Sequence, residues 1–205
     1  MDPAAVDQAK VRLQKAEKAL QELQVATNYD EAESAWIDFL VAASTIYSKL
    51  QQGAKPNATS RAWYDIKKTE RKNDPLLRYL HQARNSEEHG IERVVARGGN
   101  PRDLPDGRPL KFGERVAKKI QIYDKDNKTP VGEPMDAYLY GPSVGLVRVH
   151  DRRSNTHYDP PMQHLGQAIS LDDNHIHGIG TIGLNYLKGL VAEAEAQTLV
   201  LVRQL

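Results

Sequence analysis

Through the first 52 residues, apolar side chains recur at alternating intervals of four and three, and this spacing restricts the fold more than any other feature. The first run consists of Ala9, Leu13, Ala16, Leu20 and Leu23. The second run consists of Trp36, Leu40, Ala43, Tyr47 and Leu50. This spacing places each run on one face of an α-helix. Two such helices joined by a short turn predict an antiparallel helical hairpin.

Residues that favour helix starts precede both runs. Asp2 is followed by Pro3, and a capping side chain before a proline is typical of a helix N-terminus. Asn28 stands before an acidic segment and is placed to cap the second helix. The sequence therefore predicts where each helix of the hairpin begins.

A third helical region is predicted from Ser60, which we expect to be its cap, to about Arg97. Asp74 and Pro75 interrupt this region with a second cap and proline. After the interruption, one apolar face continues through Leu76, Leu77, Leu80 and Ala83. The region therefore predicts two consecutive helices that share a buried face.

Glycine and proline become frequent in residues 98–176, which contain eight of the fourteen glycines and eight of the eleven prolines. Short β-like segments lie between them, at 116–123, 137–140 and 144–150, and residues 124–128 are typical of a hairpin turn. Residues 177–203 then return to helical spacing. Because this last helix has one apolar face, we expect it to pack against the N-terminal helices.

These patterns together predict a mainly α fold. Residues 1–97 and 177–205 would form an antiparallel helical bundle, and residues 98–176 would form a small β-rich insertion before the last helix. The glycines at 178, 180 and 183 match a phosphate-binding GxGxxG pattern only in outline, because no strand clearly leads into them. We interpret them as positions of close helix packing or a loose helix start.

The composition excludes several classes of protein. The chain has no cysteine, which excludes disulfide scaffolds, thiolate nucleophiles and metal sites that need cysteine ligands. Its apolar runs are much shorter than a bilayer span, and its N-terminus is acidic rather than typical of a signal peptide. We therefore expect a cytoplasmic protein that does not enter a membrane.

The net charge of +1 hides a basic middle segment. Residues 53–130 contain 18 basic and 11 acidic side chains, whereas both flanking segments are acidic. A basic segment of this kind can bind a polyanion such as RNA, or it can be a solvated surface rich in lysine and arginine.

The richest polar segment lies in the third helical region. At 100° per residue, five hydrogen-bonding side chains fall within an arc of about 140° beside the leucine face; they are His81, Arg84, Asn85, Glu88 and His89. Histidine and arginine together can bind a phosphate and transfer a proton near neutral pH. An ordinary polar stripe on the surface or between subunits is the alternative.

Arg84 and Asn85, three further residues and then His89 resemble the Arg-x4–6-His motif of the HEPN superfamily (higher eukaryotes and prokaryotes nucleotide-binding). Trp63 and the segment from Asp74 to Leu80 also resemble sequences that precede this motif in bacterial members. The resemblance covers residues 1–97 and the last helix. It implies a small helical bundle that forms a homodimer.

The resemblance further implies metal-independent RNA cleavage at a composite dimer site, with no cofactor. Arg84 would hold the phosphate, His89 would act as general base or acid, and Asn85 would orient either group. We expect His81, Arg78 and Glu88 to contact the RNA beside them. Glu88 and its neighbour Glu87 bring negative charge to this site unless they pair with an arginine. A role in defence or in a toxin–antitoxin pair is implied by the resemblance alone.

Two further functions remain open at the level of the sequence. Many HEPN members keep the fold without cleavage, so a dimeric scaffold could bind a protein partner through residues 98–176. A metal hydrolase is the third hypothesis, because imidazole and carboxylate groups are ligands of hydrolytic metal sites. Its candidate ligands are the five histidines His150, His157, His164, His175 and His177.

Overall fold

A computed structural model describes residues 1–89, 93–98, 104, 107–170 and 172–202, with side chains for all of these except 89 and 199–202. The helices of this part of the chain are α1 (Pro3–Val25), α2 (Tyr29–Ala54), α3 (Ala58–Asn73), α4 (Pro75–His89) and α5 (Ile176–Val202). The first four strands are β1 (Val95–Gly98), β2 (Arg115–Tyr123), β3 (Pro130–Tyr140) and β4 (Ser143–Leu146). The remaining strands are β5 (Val149–Asp151), β6 (Thr156–Tyr158), β7 (Gln163–His164) and β8 (Gln167–Ala168).

Helices α1 and α2 form the antiparallel hairpin that the sequence predicts, and they pack along their length. The Asp2 side chain accepts a hydrogen bond from the Ala4 N–H at 2.9 Å, and Asn28 accepts one from the Glu31 N–H at 3.0 Å. Both predicted caps are therefore confirmed, and each satisfies an N–H that the first helical turn leaves without a partner.

Two predictions for the third helical region are wrong. Asn57 rather than Ser60 caps α3, because the Asn57 side chain accepts from the Ser60 N–H at 3.0 Å and the helix begins earlier. The described part of the helix ends at His89 rather than continuing to Arg97. Val95 is buried and opens a strand, because its backbone pairs with β4 and its β-branched side chain packs against the core.

The last helix, α5, packs against α1 as predicted, and its glycines allow the close approach. A Cβ atom on Gly180 would lie 2.6 Å from a terminal methyl of Leu20, and one on Gly183 would lie 2.7 Å from a terminal methyl of Leu80. The interpretation as positions of close helix packing is therefore confirmed for Gly180 and Gly183, whereas Gly178 lies against the backbone of Asp173 just before the helix. Trp36 is fully buried in the core that this packing creates.

The described strands form four separate two-stranded antiparallel sheets, β1–β4, β2–β3, β5–β6 and β7–β8. The strands predicted over 116–123 and 137–140 and the turn predicted at 124–128 lie in one hairpin, and this turn is closed by a hydrogen bond from the Asp124 N–H to the Thr129 carbonyl. The single strand predicted over 144–150 is divided into β4 and β5. The chain changes partner there, because β4 pairs with β1 whereas β5 packs against α4.

The prediction of a mainly α fold is wrong, since the structure is 55% helical and 21% strand and has a mixed α and β composition. Two facts explain the difference. The β2–β3 hairpin is longer than the sequence pattern indicates, and β1 lies within the segment that was expected to be helical. Below, the helical part means α1–α5, and the insertion means residues 98–176. In the described residues, no helix combines the length and the apolar character that crossing a bilayer requires.

Candidate functional site

Helix α4 positions most of the side chains that the sequence singles out. Asp74 caps it by accepting from the Leu77 N–H at 2.9 Å. The face that carries Leu76, Leu80 and Ala83 is buried in the core. The adjoining face, here called the α4 polar face, carries Arg78, His81, Arg84, Asn85 and Glu88. His89 is the last residue of α4, and its side chain lies outside the described residues.

Four residues of the α4 polar face form one chain of polar contacts. Asn85 Nδ2 lies 3.4 Å from His81 Nε2, and Arg84 Nη1 donates to Asn85 Oδ1, also at 3.4 Å. Arg84 additionally forms an ion pair with Glu88 one turn further on. The negative charge of Glu88 is thus already balanced by Arg84, and the amide of Asn85 links the guanidinium to the imidazole.

His81 is held as a neutral imidazole. Burial first, and then the nearby guanidinium groups of Arg71 and Arg84, lower its pKa to about 4 against the opposing effect of Asp151. Because the Asn85 amide nitrogen faces His81 Nε2, that nitrogen is the acceptor and Nδ1 carries the proton. His81 Nδ1 is buried and has no hydrogen-bond partner among the described residues.

Two arginines, one turn before and one turn after His81, also have a buried N–H without a partner among the described residues. Arg78 Nε and Arg84 Nε are both buried, and neither has a partner in the described part of the chain. The guanidinium group of Arg78 lies 5.4 Å from the centroid of the Tyr158 ring, which holds it in place. Three N–H donors on successive turns of one helix therefore lack acceptors.

The β5–β6 hairpin borders the α4 polar face. Strand β5 packs against α4, and the Tyr79 hydroxyl donates to the Val147 carbonyl at 2.8 Å just before this strand. The rings of His150 and His157 are stacked 4.3 Å apart at 10°. Asp151, at the end of β5, is the carboxylate that acts on His81. The hairpin thus brings the carboxylate of Asp151 to this side of the molecule, whereas His150 and His157 form the neighbouring pair on the strands, whose side chains alternate between the two faces.

The other three histidines of the candidate metal-ligand set lie elsewhere. His164 Nδ1 is 3.0 Å from Asp74 Oδ1, and Arg115 Nη1 is 3.3 Å from His175 Nδ1. His177 lies beside His175, with ring centroids 6.2 Å apart. Within the described ranges, no three histidine, aspartate or glutamate side chains converge as a set of metal ligands. The five histidines are divided among three places and do not share one site.

Sequence reasoning missed Arg71, Tyr47 and Asp151 as neighbours of His81. Arg71 lies in the last turn of α3, and its guanidinium group lies 4.2 Å from the centroid of the Tyr47 ring. With Leu77 and His81, these two residues line a crevice of about 20 Å³ beside the α4 polar face. Only the basic composition of residues 53–130 gave a signal for Arg71. Nothing in the local sequence indicates Tyr47 or Asp151.

Comparison with protein-family models, with curated proteins and with solved structures finds no match to this chain.

Proposed function

We propose that the α4 polar face binds the phosphate groups of RNA and that the protein is an HEPN-like RNA-binding protein with metal-independent endoribonuclease activity. One observation carries the proposal: Arg78 Nε, His81 Nδ1 and Arg84 Nε are buried without acceptors along one face of α4. The resemblance of Arg84, Asn85 and His89 to the HEPN motif supports RNA as the source of the phosphate.

The energetic argument concerns the missing acceptors. A buried N–H without a partner costs about 1–3 kcal/mol, and native structures keep few such groups. A crevice of about 20 Å³ beside His81 has room for one water molecule, but neither Arg78 nor Arg84 lines it. Once the side chains that cover these atoms move aside, phosphate oxygens can accept from all three groups, and their charge also complements the guanidinium groups.

The surrounding charges favour an anion. Arg71 and Arg84 both act on His81 and outweigh the opposing carboxylate of Asp151, while Glu88, the acidic residue within this face, is balanced by Arg84. A phosphate beside His81 would favour the protonated imidazole and raise its pKa towards neutrality. The same site would then hold both a guanidinium and a protonatable imidazole against one phosphate.

The proposed mechanism of RNA cleavage uses the side chains of this face and of His89, with a ribose 2′-hydroxyl as the nucleophile. The 2′ oxygen forms a bond to phosphorus while the bond from phosphorus to the 5′ oxygen breaks, which leaves a cyclic phosphate. In the HEPN pattern, His89 removes the proton of the 2′-hydroxyl, and a second imidazole protonates the 5′ oxygen. Arg84 binds the non-bridging oxygens, whose negative charge increases in the transition state. The two motifs would meet across a homodimer.

RNA binding is tested by fluorescence anisotropy with a labelled single-stranded RNA at several salt concentrations. Replacing Arg78 and Arg84 together by alanine should weaken binding about tenfold or more for each arginine, because a charge-assisted hydrogen bond contributes about 1.5–3 kcal/mol. The slope of log affinity against log salt should also fall by about 0.7 for each lost phosphate contact.

Arg61→Ala is the matched control for these variants, since Arg61 is an exposed arginine on α3. It should leave both the affinity and the salt slope unchanged. Equal weakening by the control and by the double variant would show that binding is a general effect of charge and would contradict the proposed site.

Cleavage is tested by incubating RNA with the pure protein in EDTA. Arg84→Ala and His89→Ala should each abolish the activity that survives EDTA, while the dimer stays intact by size-exclusion chromatography with light scattering. Unchanged activity in both variants would remove the catalytic assignment and leave RNA binding to be judged by the anisotropy measurement.

A second candidate function is a scaffold that binds a protein partner through the insertion. It is favoured by exposed apolar side chains on one face of the β2–β3 hairpin, where Ile120 pairs with Met135 and Ile122 pairs with Val131. Exposed apolar faces of this kind are typical of interaction surfaces. Under this function the pure protein neither binds nor cleaves RNA, and Ile120→Lys abolishes partner binding. Under the RNA function, Ile120→Lys leaves RNA affinity unchanged.

A further inference from the structure

A cleft of about 670 Å³ lies between the end of α1, the start of α5 and the strands β1 and β4. Its residues come from both the helical part and the insertion, and it includes neither Arg78, His81 nor Arg84. A volume of this size is typical of sites that bind small organic molecules. The cleft is therefore independent of the α4 polar face.

Most of the wall of this cleft is apolar. It is formed by Leu23, Ala32, Phe112, Val144, Leu146 and Ile176. The Phe112 ring is fixed by an edge-to-face contact with Tyr29, at 5.2 Å between centroids and 85°. Such a wall can enclose the apolar or aromatic body of a ligand.

One end of the cleft is polar and carries Arg115, His175 and His177. Arg115 is half-buried, and its guanidinium group lies 4.9 Å from the centroid of the Tyr138 ring. No carboxylate forms an ion pair with Arg115 among the described residues. Because a half-buried cation is stabilised by a counter-ion, this end of the cleft favours an anionic group.

Among the described side chains that line this cleft, Arg115 carries the one formal charge at pH 7. Burial lowers the pKa of both histidines below the ordinary value, and the cation of Arg115 lowers that of His175 further. Both imidazoles are therefore neutral at pH 7 and can donate one N–H each. The nearby acids Asp172 and Asp173 are engaged by the Tyr138 and Ser170 hydroxyls, and they disfavour a doubly charged ligand. A monoanion fits this balance better than a phosphate dianion.

We propose that this cleft binds the carboxylate of a small organic acid, with Arg115 anchoring the carboxylate and the apolar wall enclosing an aromatic or branched aliphatic body. The planar fork of a guanidinium group matches a carboxylate in a bidentate arrangement. His175, whose Nδ1 lies 3.3 Å from Arg115 Nη1, and His177 line the same end of the cleft. The proposal assigns a ligand site in addition to the proposed RNA site.

The test is isothermal titration calorimetry of the full chain with benzoate, 4-methylpentanoate, benzamide and inorganic phosphate as separate probes. We expect one or both carboxylates to bind, and benzamide and inorganic phosphate to bind at least tenfold more weakly. Arg115→Gln should weaken carboxylate binding at least tenfold, and Arg115→Lys should restore part of it because the charge is kept and the fork is lost. Circular dichroism verifies that each variant is folded.

Lys118→Gln is the matched control, since it removes a positive charge from an exposed position on the same strand. It should leave binding unchanged. The proposal is overturned if neither carboxylate binds, if benzamide or phosphate binds as well as the carboxylates, or if Arg115→Gln and Lys118→Gln bind them equally. RNA affinity should be unaffected by Arg115→Gln, so failure of this site and failure of the RNA site are separate results.

Discussion

Trp36 and Phe39 on α2 are completely buried, whereas Ile120, Ile122 and Met135 on the β2–β3 hairpin are 45–53% exposed. The helical part therefore buries its large apolar side chains in its own core, while the long hairpin of the insertion leaves several of them in contact with solvent. Large apolar side chains of the helices thus fill the core, to which the long β2–β3 hairpin adds little. The insertion depends on the contacts it makes with the helices.

Besides the apolar packing of Val144, Val149 and Ile169 in the core, polar contacts join the insertion to the helices, several of them at α4. The buried carboxylate of Asp74 accepts from the Leu165 N–H at 2.6 Å and contacts His164, and Tyr79 donates to Val147. The Tyr29 hydroxyl donates to the Gly98 carbonyl at 3.1 Å. The α4 polar face thus lies on a helix that also anchors the insertion.

The largest effect should come from the core of the helical part. Trp36→Ala should reduce the free energy of unfolding by about 3–5 kcal/mol, because it leaves a cavity beside the stacked Phe39 ring. Tyr123→Ala, at a site 58% exposed on β2, should change it by less than about 1 kcal/mol. Urea unfolding followed by far-UV circular dichroism measures both. Similar losses of unfolding free energy in the two variants would contradict the difference between the helical core and the exposed β2–β3 hairpin.

The carboxylate of Asp74 accepts hydrogen bonds from both α4 and the insertion, so its removal should destabilise both. Asp74→Ala should reduce the free energy of unfolding by about 2–4 kcal/mol, since α4 loses its cap and the N–H of Leu165 loses its acceptor. Asp65→Ala, at an exposed position on α3, is the control and should stay within about 0.5 kcal/mol. Hydrogen exchange should accelerate at Leu165 in the Asp74 variant. Unchanged exchange there would show that Asp74 does not hold the insertion.

A smaller change in the free energy of unfolding is expected when the pH is lowered. With its folded pKa near 4 and an ordinary value near 6.5, His81 binds a proton in the unfolded chain but not in the folded chain between these two pH values. Stability from this group is therefore complete above about pH 6.5 and is lost as the pH falls towards 4. His175 and His177 act in the same direction.

Replacing His81 by glutamine should therefore flatten the pH dependence. After allowance for its partial exposure, the loss of stability between pH 7 and pH 5 should be about 1 kcal/mol smaller in the variant. Urea unfolding at both pH values provides the measurement, with His157→Gln as a control at an exposed histidine. The same pH dependence in wild type and His81→Gln would show that His81 titrates normally.

The helices could be predicted from the sequence because their information is local. Caps at Asp2, Asn28 and Asp74 and the spacing of apolar residues lie within one or two turns of the structure that they determine. The α4 polar face follows from the same helical geometry, so Arg84 and Asn85 were predicted on the correct face. The contact between Arg84 and Glu88, one turn apart, belongs to this local class as well.

The insertion and its contacts could not be predicted in this way, because they depend on residues far apart in the sequence. Asp74 was expected only as a cap, yet it also binds His164, 90 residues later. The strand at Val95 forms because β4 supplies a partner from residues 143–146. The burial of His81 and the convergence of Arg115 with His175 likewise arise from packing between distant segments.

The most direct measurement records the side-chain N–H groups of the arginines by ¹H–¹⁵N NMR while a short single-stranded RNA is added, with resonances assigned from arginine-to-lysine variants. We predict that the Nε–H resonances of Arg78 and Arg84 shift together as the RNA binds, while that of Arg61 stays in place. The proposal is contradicted if RNA binds and shifts the resonance of Arg61 or Arg115 while those of Arg78 and Arg84 do not move.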